Sequence, residues 1–365
     1  MSRERFGQLT KLVLRGFKSI KSCEIDIKDI NVLIGANGAG KTNLLSALEL
    51  LQSVLAGSLT YYVNKKGIET LFYNGKEATD IILAEYHFGD DIYSFELEWT
   101  ENNSLAFISE SLILDGKEIL GEGGHSESKV INLLRNISYN FDISKTMLNP
   151  SFVVYRFQDT TASSRKKSEQ NVSNDVAFLG DGRNLAAFLY RLKRYFKKEY
   201  ADIQYAVQLV APFLEDFELE PRELNDELID MLWQEKGCDS IFNASQLSDG
   251  TLRFICLATL LLQPPELQPG VIIIDEPELG LHPYAVTVFS ELVKKAAVDK
   301  QIVLSTQSAE LLNNFEADDV VVVDKGKSDS VFKRLTFAEL SEWLEDDYTL
   351  GDLWNKNIFG GRFAL

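Results

Sequence analysis

Cysteine and histidine are both scarce in this 365-residue chain, with three of each. Cys23, Cys238 and Cys256 are odd in number, far apart and without metal-ligand spacing, which excludes a disulfide framework and points to reduced thiols. His87, His125 and His282 are equally scattered, so no histidine metal centre is expected. Long apolar runs are missing too. The longest, Phe254–Leu262, is about half the length a bilayer requires and is followed by Gln263-Pro264-Pro265, so it reads as a buried helix ending at the prolines. No apolar stretch follows the charged residues 1–7, so neither a secretory signal nor a membrane partner is expected, and the expected location is cytoplasmic. Positive charge is in deficit: 37 Lys and Arg against 55 Asp and Glu give a formal net charge of −18, a surface that repels phosphate backbones at long range. Internal repeats and sustained heptads are also lacking, which excludes a long coiled-coil arm.

What is present is a phosphate-binding loop. Gly35–Thr42 reads GANGAGKT and fits G-x-x-x-x-G-K-[ST], in which backbone N–H groups close around phosphates, a lysine reaches the β- and γ-phosphates, and a hydroxyl ligates Mg²⁺. The lysine is Lys41 and the hydroxyl Thr42. Asn37, Gly38, Gly40 and Asn43 complete the expected nucleotide-binding set. Ile30–Ile34 reads as a buried strand entering the loop, and 43–51 has helical apolar spacing leaving it, so the helix dipole and free N–H groups face the anion. ATP or GTP is the expected ligand.

Elsewhere the pattern changes character along the chain. Short apolar runs at 12–14, 23–27 and 32–34 predict strands feeding the loop. Residues 81–88, 92–99 and 105–114 are aromatic and β-branched, with turns at 89–91, 101–103 and 115–116, and predict an antiparallel meander. Small and polar residues at 121–128 and 159–169 predict mobile loops. Residues 184–198 carry an apolar stripe backed by basic residues, and helical spacing continues to Leu214. From Gln246 the pattern is α/β again, with helices over 249–262 and 284–297 and buried strands at 271–274, 301–305 and 320–323, so both ends of the chain are expected in one sheet. The resulting partition is a discontinuous nucleotide-binding core (1–58 and 246–340), a β-rich lobe (59–158), a helical lobe (159–245) and an aromatic C-terminal cap (341–365).

The strand 271–275 ends in a carboxylate where an α/β sheet presents ligands to a nucleotide, making Asp275 the expected Mg²⁺ partner. Glu276 can accept a proton from, or orient, the attacking water.

These residues carry a family resemblance. Leu247–Phe254 (LSDGTLRF) resembles the ABC signature motif, and Asp275–Pro283 (DEPELGLHP) resembles the Walker B and D-loop of SMC-, RecF- and OLD-like ATPases rather than of membrane transporters. LRGFKSI at 14–20, NLAAFLYRL at 184–192 and WLEDDYTLGDLW at 343–354 are similar to a group of short, arm-less bacterial members. The resemblance implies an α/β P-loop ABC-type ATPase head: a mixed sheet with an antiparallel β lobe insertion and a short helical lobe. It implies ATP and Mg²⁺ as cofactors and a homodimer in which Ser248 and Gly250 bind, in trans, the γ-phosphate held at Lys41. Gln158 falls where the family places a Mg²⁺- and water-binding glutamine, and Gln307 occupies the switch position where histidine is common. Asp249 and Thr251 depart from the transporter signature.

The resemblance further implies a slow ATP-driven switch controlling a separate effector, a nuclease or toxin, in prokaryotic antiviral defence. Two other readings stay open. One is a RecF-like DNA-maintenance ATPase using the basic clusters at Arg165-Lys166-Lys167 and 191–198; the other is a nucleotide-gated scaffold with negligible hydrolysis. No clustered acids or histidines suggest a nuclease centre in the chain itself.

Overall fold

A computed structural model describes residues 8–130, 132–133, 152–158 and 170–361. The basic cluster at 165–167 and the loop at 159–169 lie outside the described residues. In chain order the strands are β1 (Lys11–Phe17), β2 (Ile20–Asp26), β3 (Ile30–Ile34), β4 (Ile81–Phe88), β5 (Asp91–Trp99), β6 (Leu105–Leu114), β7 (Lys117–Glu122), β8 (Phe152–Tyr155) and β9 (Gln170–Asn171). There follow β10 (Leu214–Glu218), β11 (Pro221–Arg222), β12 (Asn225–Ile229), β13 (Leu232–Glu235), β14 (Ile241–Asn243), β15 (Val271–Asp275), β16 (Gln301–Thr306), β17 (Val320–Lys325) and β18 (Ser330–Arg334). The chain divides into two compact units. The first comprises Met1–Val153, Pro269–Ile273 and Glu316–Leu365, the second Val154–Gln268 and Ile274–Phe315.

In the first unit the expected meander forms, and it is larger than the sequence suggested. A six-stranded sheet runs β2-β1-β4-β5-β6-β7 with antiparallel neighbours. β1 and β2 therefore do not feed the phosphate loop, as their position before it had suggested; only β3 enters it. Alternation puts Ile82, Ala84, Tyr86 and Phe88 of β4 and Tyr93, Phe95 and Leu97 of β5 into the core. Their rings interlock, with Phe95 centred 6.0 Å from Tyr86 and 5.8 Å from Phe107. β3 pairs in parallel with β17, and β17 antiparallel with β18, so the start and end of the chain do share a sheet.

A carboxyl side chain lies inside this unit. Glu110 on β6 is fully buried. It accepts hydrogen bonds from Tyr93 Oη at 2.7 Å, the Ser128 hydroxyl, and Lys129 N at 3.0 Å, while His125 Nε2 stands 3.5 Å away. Burial, then the neighbouring carboxylate, pushes the Tyr93 phenol well above its ordinary range. Residues 121–128 are thus fastened rather than loose, because Glu110 supplies an acceptor the polar segment can bind. Glu127 also accepts from Leu59 N and Thr60 N, both at 2.9 Å, and so holds the first turn of helix Leu59–Lys66.

The second unit contains helices Leu185–Tyr195, Lys197–Val210, Asp249–Leu262 and Pro283–Ala296. The 170–245 segment is less helical than its spacing suggested: β10-β13-β14 and β11-β12-β9 form two small sheets. The basic residues on helix Leu185–Tyr195 are engaged in ion pairs and hydrogen bonds while still part-exposed or exposed. Arg191 lies 3.7 Å from Asp175, Lys193 bonds Asp216 at 2.9 Å and Phe217 O at 2.7 Å, and Arg194 bonds Tyr190 Oη at 2.8 Å.

Replacing Glu110 with alanine removes the acceptor shared by Tyr93, Ser128 and Lys129. The expected loss is about 2–4 kcal/mol of stability, read as a lower urea midpoint; a Glu110→Ala midpoint equal to wild type contradicts the assignment.

Candidate nucleotide site

In the first unit, β3 delivers the chain into Gly35, and helix Lys41–Leu55 leaves the loop. Two glycines are geometrically required. Gly40 has φ 117°, and a Cβ there would lie 2.0 Å from Ser330 Oγ; a Cβ on Gly35 would lie 2.3 Å from Val323 O. The loop is tied to the far end of the chain: Ser330 Oγ donates to Ala39 O at 2.6 Å, and Ala36 N donates to Gly361 O at 2.8 Å. Ser19 Oγ shares a 2.7 Å bond with Ser330 Oγ and accepts from Asn43 Nδ2 at 2.6 Å. Lys41 is buried, and its ammonium donates to Gly35 O at 2.6 Å and Ala36 O at 3.2 Å. Asn37, Gly38 and Thr42 are exposed. No acidic side chain occupies the first turn of helix Lys41–Leu55, and no side chain caps it, so the positive end of the helix dipole is open to an anion.

In the second unit the residues expected for catalysis converge. Asp275 is buried at 7% exposure; its Oδ2 accepts from Arg156 Nε at 3.0 Å and its Oδ1 from the Ser305 hydroxyl. Glu276 leaves the strand in the left-handed region, φ 50°, with its N–H donating to Ser305 O at 2.9 Å. Its carboxylate accepts from Gln307 Nε2 at 2.7 Å on Oε1 and from Gln158 Nε2 at 3.3 Å on Oε2. Two segments thus supply one partner to each acid at i, i+2 spacing: Arg156 and Gln158 from one side, Ser305 and Gln307 from the other. A recess of about 10 Å³, close to the volume one water centre needs, is lined by Gln158, Arg253, Asp275 and Glu276 among others. Glu278 accepts from Thr306 Oγ1 at 2.6 Å, and burial pushes its carboxyl above the usual range.

The signature residues lie on the same unit. Ser248 caps helix Asp249–Leu262 by accepting from Thr251 N at 3.1 Å, and bonds Thr251 Oγ1 at 2.8 Å. A Cβ on Gly250 would lie 2.3 Å from Gly280 O, so the helix start can approach the turn after Glu278 only with glycine there.

Sequence reasoning missed Arg156 and Arg253. Arg253 donates to Gln158 O at 2.8 Å and to Leu279 O, joining the signature helix to the Gln158 segment and the 279–280 turn. Arg253 stands inside the signature-like segment 247–254, where Ser248 and Gly250 drew the functional reading instead, and the 119-residue separation of Arg156 from Asp275 hides their pairing. The only available hint was that Arg156 lies two residues before Gln158.

For nucleotide and Mg²⁺ the donors fit. The Thr42 hydroxyl, the Asp275 carboxylate and the Gln158 side-chain carbonyl are hard oxygen ligands, and Asp275 already attracts a cationic side chain. Among the described residues no group of three His, Cys, Asp or Glu side chains could hold a metal by itself.

Comparison with known proteins bears on the family and the fold. A family model described as "AAA domain, putative AbiEii toxin, Type IV TA system" matches residues 30–313. The chain is 39% identical over 71 residues to the DNA replication and repair protein RecF of Vibrio campbellii, covering 19% of this chain and 20% of that one. It is 21% identical over 376 residues to the Old nuclease of Escherichia phage P2, covering 93% of this chain and 62% of the relative. Each match spans less than two thirds of the relative's length. Among solved structures, an Smc head bound to the C-terminal winged-helix domain of ScpA superimposes with TM-score 0.63 at 17% identity, over 92% of this chain and 99% of that one. An Smc head from Pyrococcus furiosus, bound to the C-terminal domain of ScpA, gives TM-score 0.60 at 15% identity, over 93% and 99%. The fold is therefore that of a P-loop ATPase head of the SMC type.

Gly250→Ala places a methyl against Gly280 O and should cost about 1–3 kcal/mol, seen as a lower thermal midpoint. A Gly250→Ala protein as stable as wild type would show that the helix and turn do not pack as described.

Proposed function

This chain belongs to the AAA-domain family whose model matches its residues 30–313, and on that premise we propose that it binds ATP with Mg²⁺ and hydrolyses it slowly, as a dimeric switch acting on a separate effector. The observation that carries the reading is the carboxylate pair itself. Asp275 is held by groups that suit an acid serving a cation, and Glu276 by two neutral amides that orient it without neutralising it.

In this reading the backbone N–H groups of 37–42 and the Lys41 ammonium bind the phosphates, and the Thr42 hydroxyl, Asp275 and the Gln158 carbonyl are the groups that would hold a metal. Bound there, Mg²⁺ would supply neutralisation of phosphate charge. Glu276 accepts the proton of the attacking water, and Gln307 fixes the carboxylate oxygen that receives it. Ser248 and Gly250 bind the γ-phosphate of nucleotide held by a second copy, which makes closure of a homodimer depend on ATP. Support for this comes from the exposure of Ser248 at the start of helix Asp249–Leu262, which puts its hydroxyl at the positive end of that helix dipole.

The effector is proposed to be a separate nuclease or toxin in antiviral defence, on the resemblance to arm-less members of the group. Direct nucleic-acid binding, the reading favoured by the RecF match, is opposed by the net charge of −18 and by the internal ion pairs of Arg191 and Lys193. A cytoplasmic location is proposed; among the described residues no helix is long and apolar enough to cross a membrane.

Glu276→Gln should lower kcat about 10²- to 10⁴-fold while ATP still drives dimer formation in size-exclusion chromatography with light scattering. Lys41→Ala should lose ATP binding altogether. Unchanged phosphate release in Glu276→Gln would refute the catalytic assignment.

Because Gln307 is an amide and carries no titrating proton, kcat should vary less than about twofold between pH 6 and 7.5. A steep rise across that interval in a steady-state pH profile would count against Gln307 as the group at this position.

A further inference from the structure

Asp275 is a buried carboxylate, and a buried acid without a cation or several donors is costly by several kcal/mol. One oxygen is satisfied by the Ser305 hydroxyl, the other by Arg156 Nε at 3.0 Å. An incoming Mg²⁺ requires an anionic oxygen at about 2.0–2.1 Å, and a guanidinium on the same carboxylate repels it. The two cations compete for one acid.

Arg156 can withdraw, but its backbone is held. Its side chain is 33% exposed, so solvent reaches the guanidinium. Its N–H donates to Gly180 O at 2.8 Å, and the next residue, Phe157, is buried between Tyr155 at 5.9 Å and Phe178 at 5.8 Å between ring centroids. Gln158 O is held by Arg253. Exchange of cations at Asp275 is consequently a side-chain movement and not the opening of a loop. Glu276, bound by two amides, adds no rival cation, and Arg253 spends its two terminal nitrogens on backbone oxygens.

We propose that Arg156 is the resident counter-cation of Asp275, displaced when a divalent cation arrives, so that this arginine sets the Mg²⁺ concentration at which the nucleotide site loads. The inference rests on the ATP-binding reading above. It makes Arg156 a positioning residue: it holds the Asp275 carboxylate oriented when no metal is bound, at the expense of metal affinity.

The test is equilibrium binding of a fluorescent ATP analogue at graded free Mg²⁺, with Arg156→Gln and wild type compared. Arg156→Gln should lower the half-saturating Mg²⁺ concentration about ten- to a hundredfold, the effect of losing one hydrogen bond to a charged group. An unchanged or higher requirement overturns the proposal, because Arg156 would then be assisting the metal. Should Arg156→Gln not fold, side-chain Nε–Hε NMR of the wild-type protein decides: the Arg156 signal should shift with Mg²⁺ and ATP but not with ATP in EDTA, and a signal indifferent to Mg²⁺ overturns it. Lys41→Ala separates the two levels. Analogue binding that survives Lys41→Ala refutes the nucleotide reading itself, whatever Arg156 does.

Discussion

A fully buried strand that ends in two consecutive carboxylates is the constraint around which the second unit is organised. In an extended strand, neighbouring side chains point to opposite faces, so Asp275 and Glu276 could not share a set of partners if β15 simply continued. The left-handed backbone at Glu276, a conformation that costs a non-glycine residue on the order of 1–3 kcal/mol, turns the second acid away from the strand axis. That strain is offset by the bond from Glu276 N to Ser305 O and by the two amides on its carboxylate. The i, i+2 pairs 156/158 and 305/307 then work as two jaws, each giving one donor to each acid. Removing the turn would leave one acid unpartnered, which is why the strain persists.

The first unit meets a different demand, because its phosphate loop must hold backbone N–H groups open without a ligand. A loop of small residues has little side-chain packing of its own, so its shape is imposed from outside. Ser330 grips Ala39 O, Gly361 O grips Ala36 N, and Ser19 links Ser330 to Asn43. The Lys41 ammonium, turned onto the carbonyls of Gly35 and Ala36, closes the loop from within. The Ser330 and Gly361 contacts come from residues about 290 or more positions later in the sequence, so the loop motif is local while its rigidity is not.

That division explains what could be read from the sequence. The phosphate loop, the strand ending at Asp275, the helix Asp249–Leu262 and the β4–β6 meander all announce themselves through local spacing, since each is defined by neighbours within a few residues. The strands between 214 and 243 were not legible: they are two to five residues long, too short for alternation to show against the helical spacing that precedes them. The polar run 121–128 looked loose because its anchor, the buried Glu110, sits on another strand. The basic stripe 191–198 left a phosphate-binding surface open as an alternative reading because Asp175 and Asp216, which pair with Arg191 and Lys193, are distant in sequence. Arg156 escaped for the same reason. In each case the missing information was a charge partner supplied by tertiary structure.

The neutral switch residue fits this electrostatic arrangement. A histidine cation at position 307 would sit against Glu276 and pull it toward the role of a paired ion, weakening it as a proton acceptor. An amide orients the same oxygen without that penalty. Glu278, whose carboxyl burial pushes above its usual range, stands behind Gln307 and receives Thr306 Oγ1 and Gln307 N. On the proposal above, the exchangeable charge in the group is the cation on Asp275, and the site would respond to which cation occupies that carboxylate, and hence to metal-bound nucleotide, rather than to protonation of a histidine at position 307.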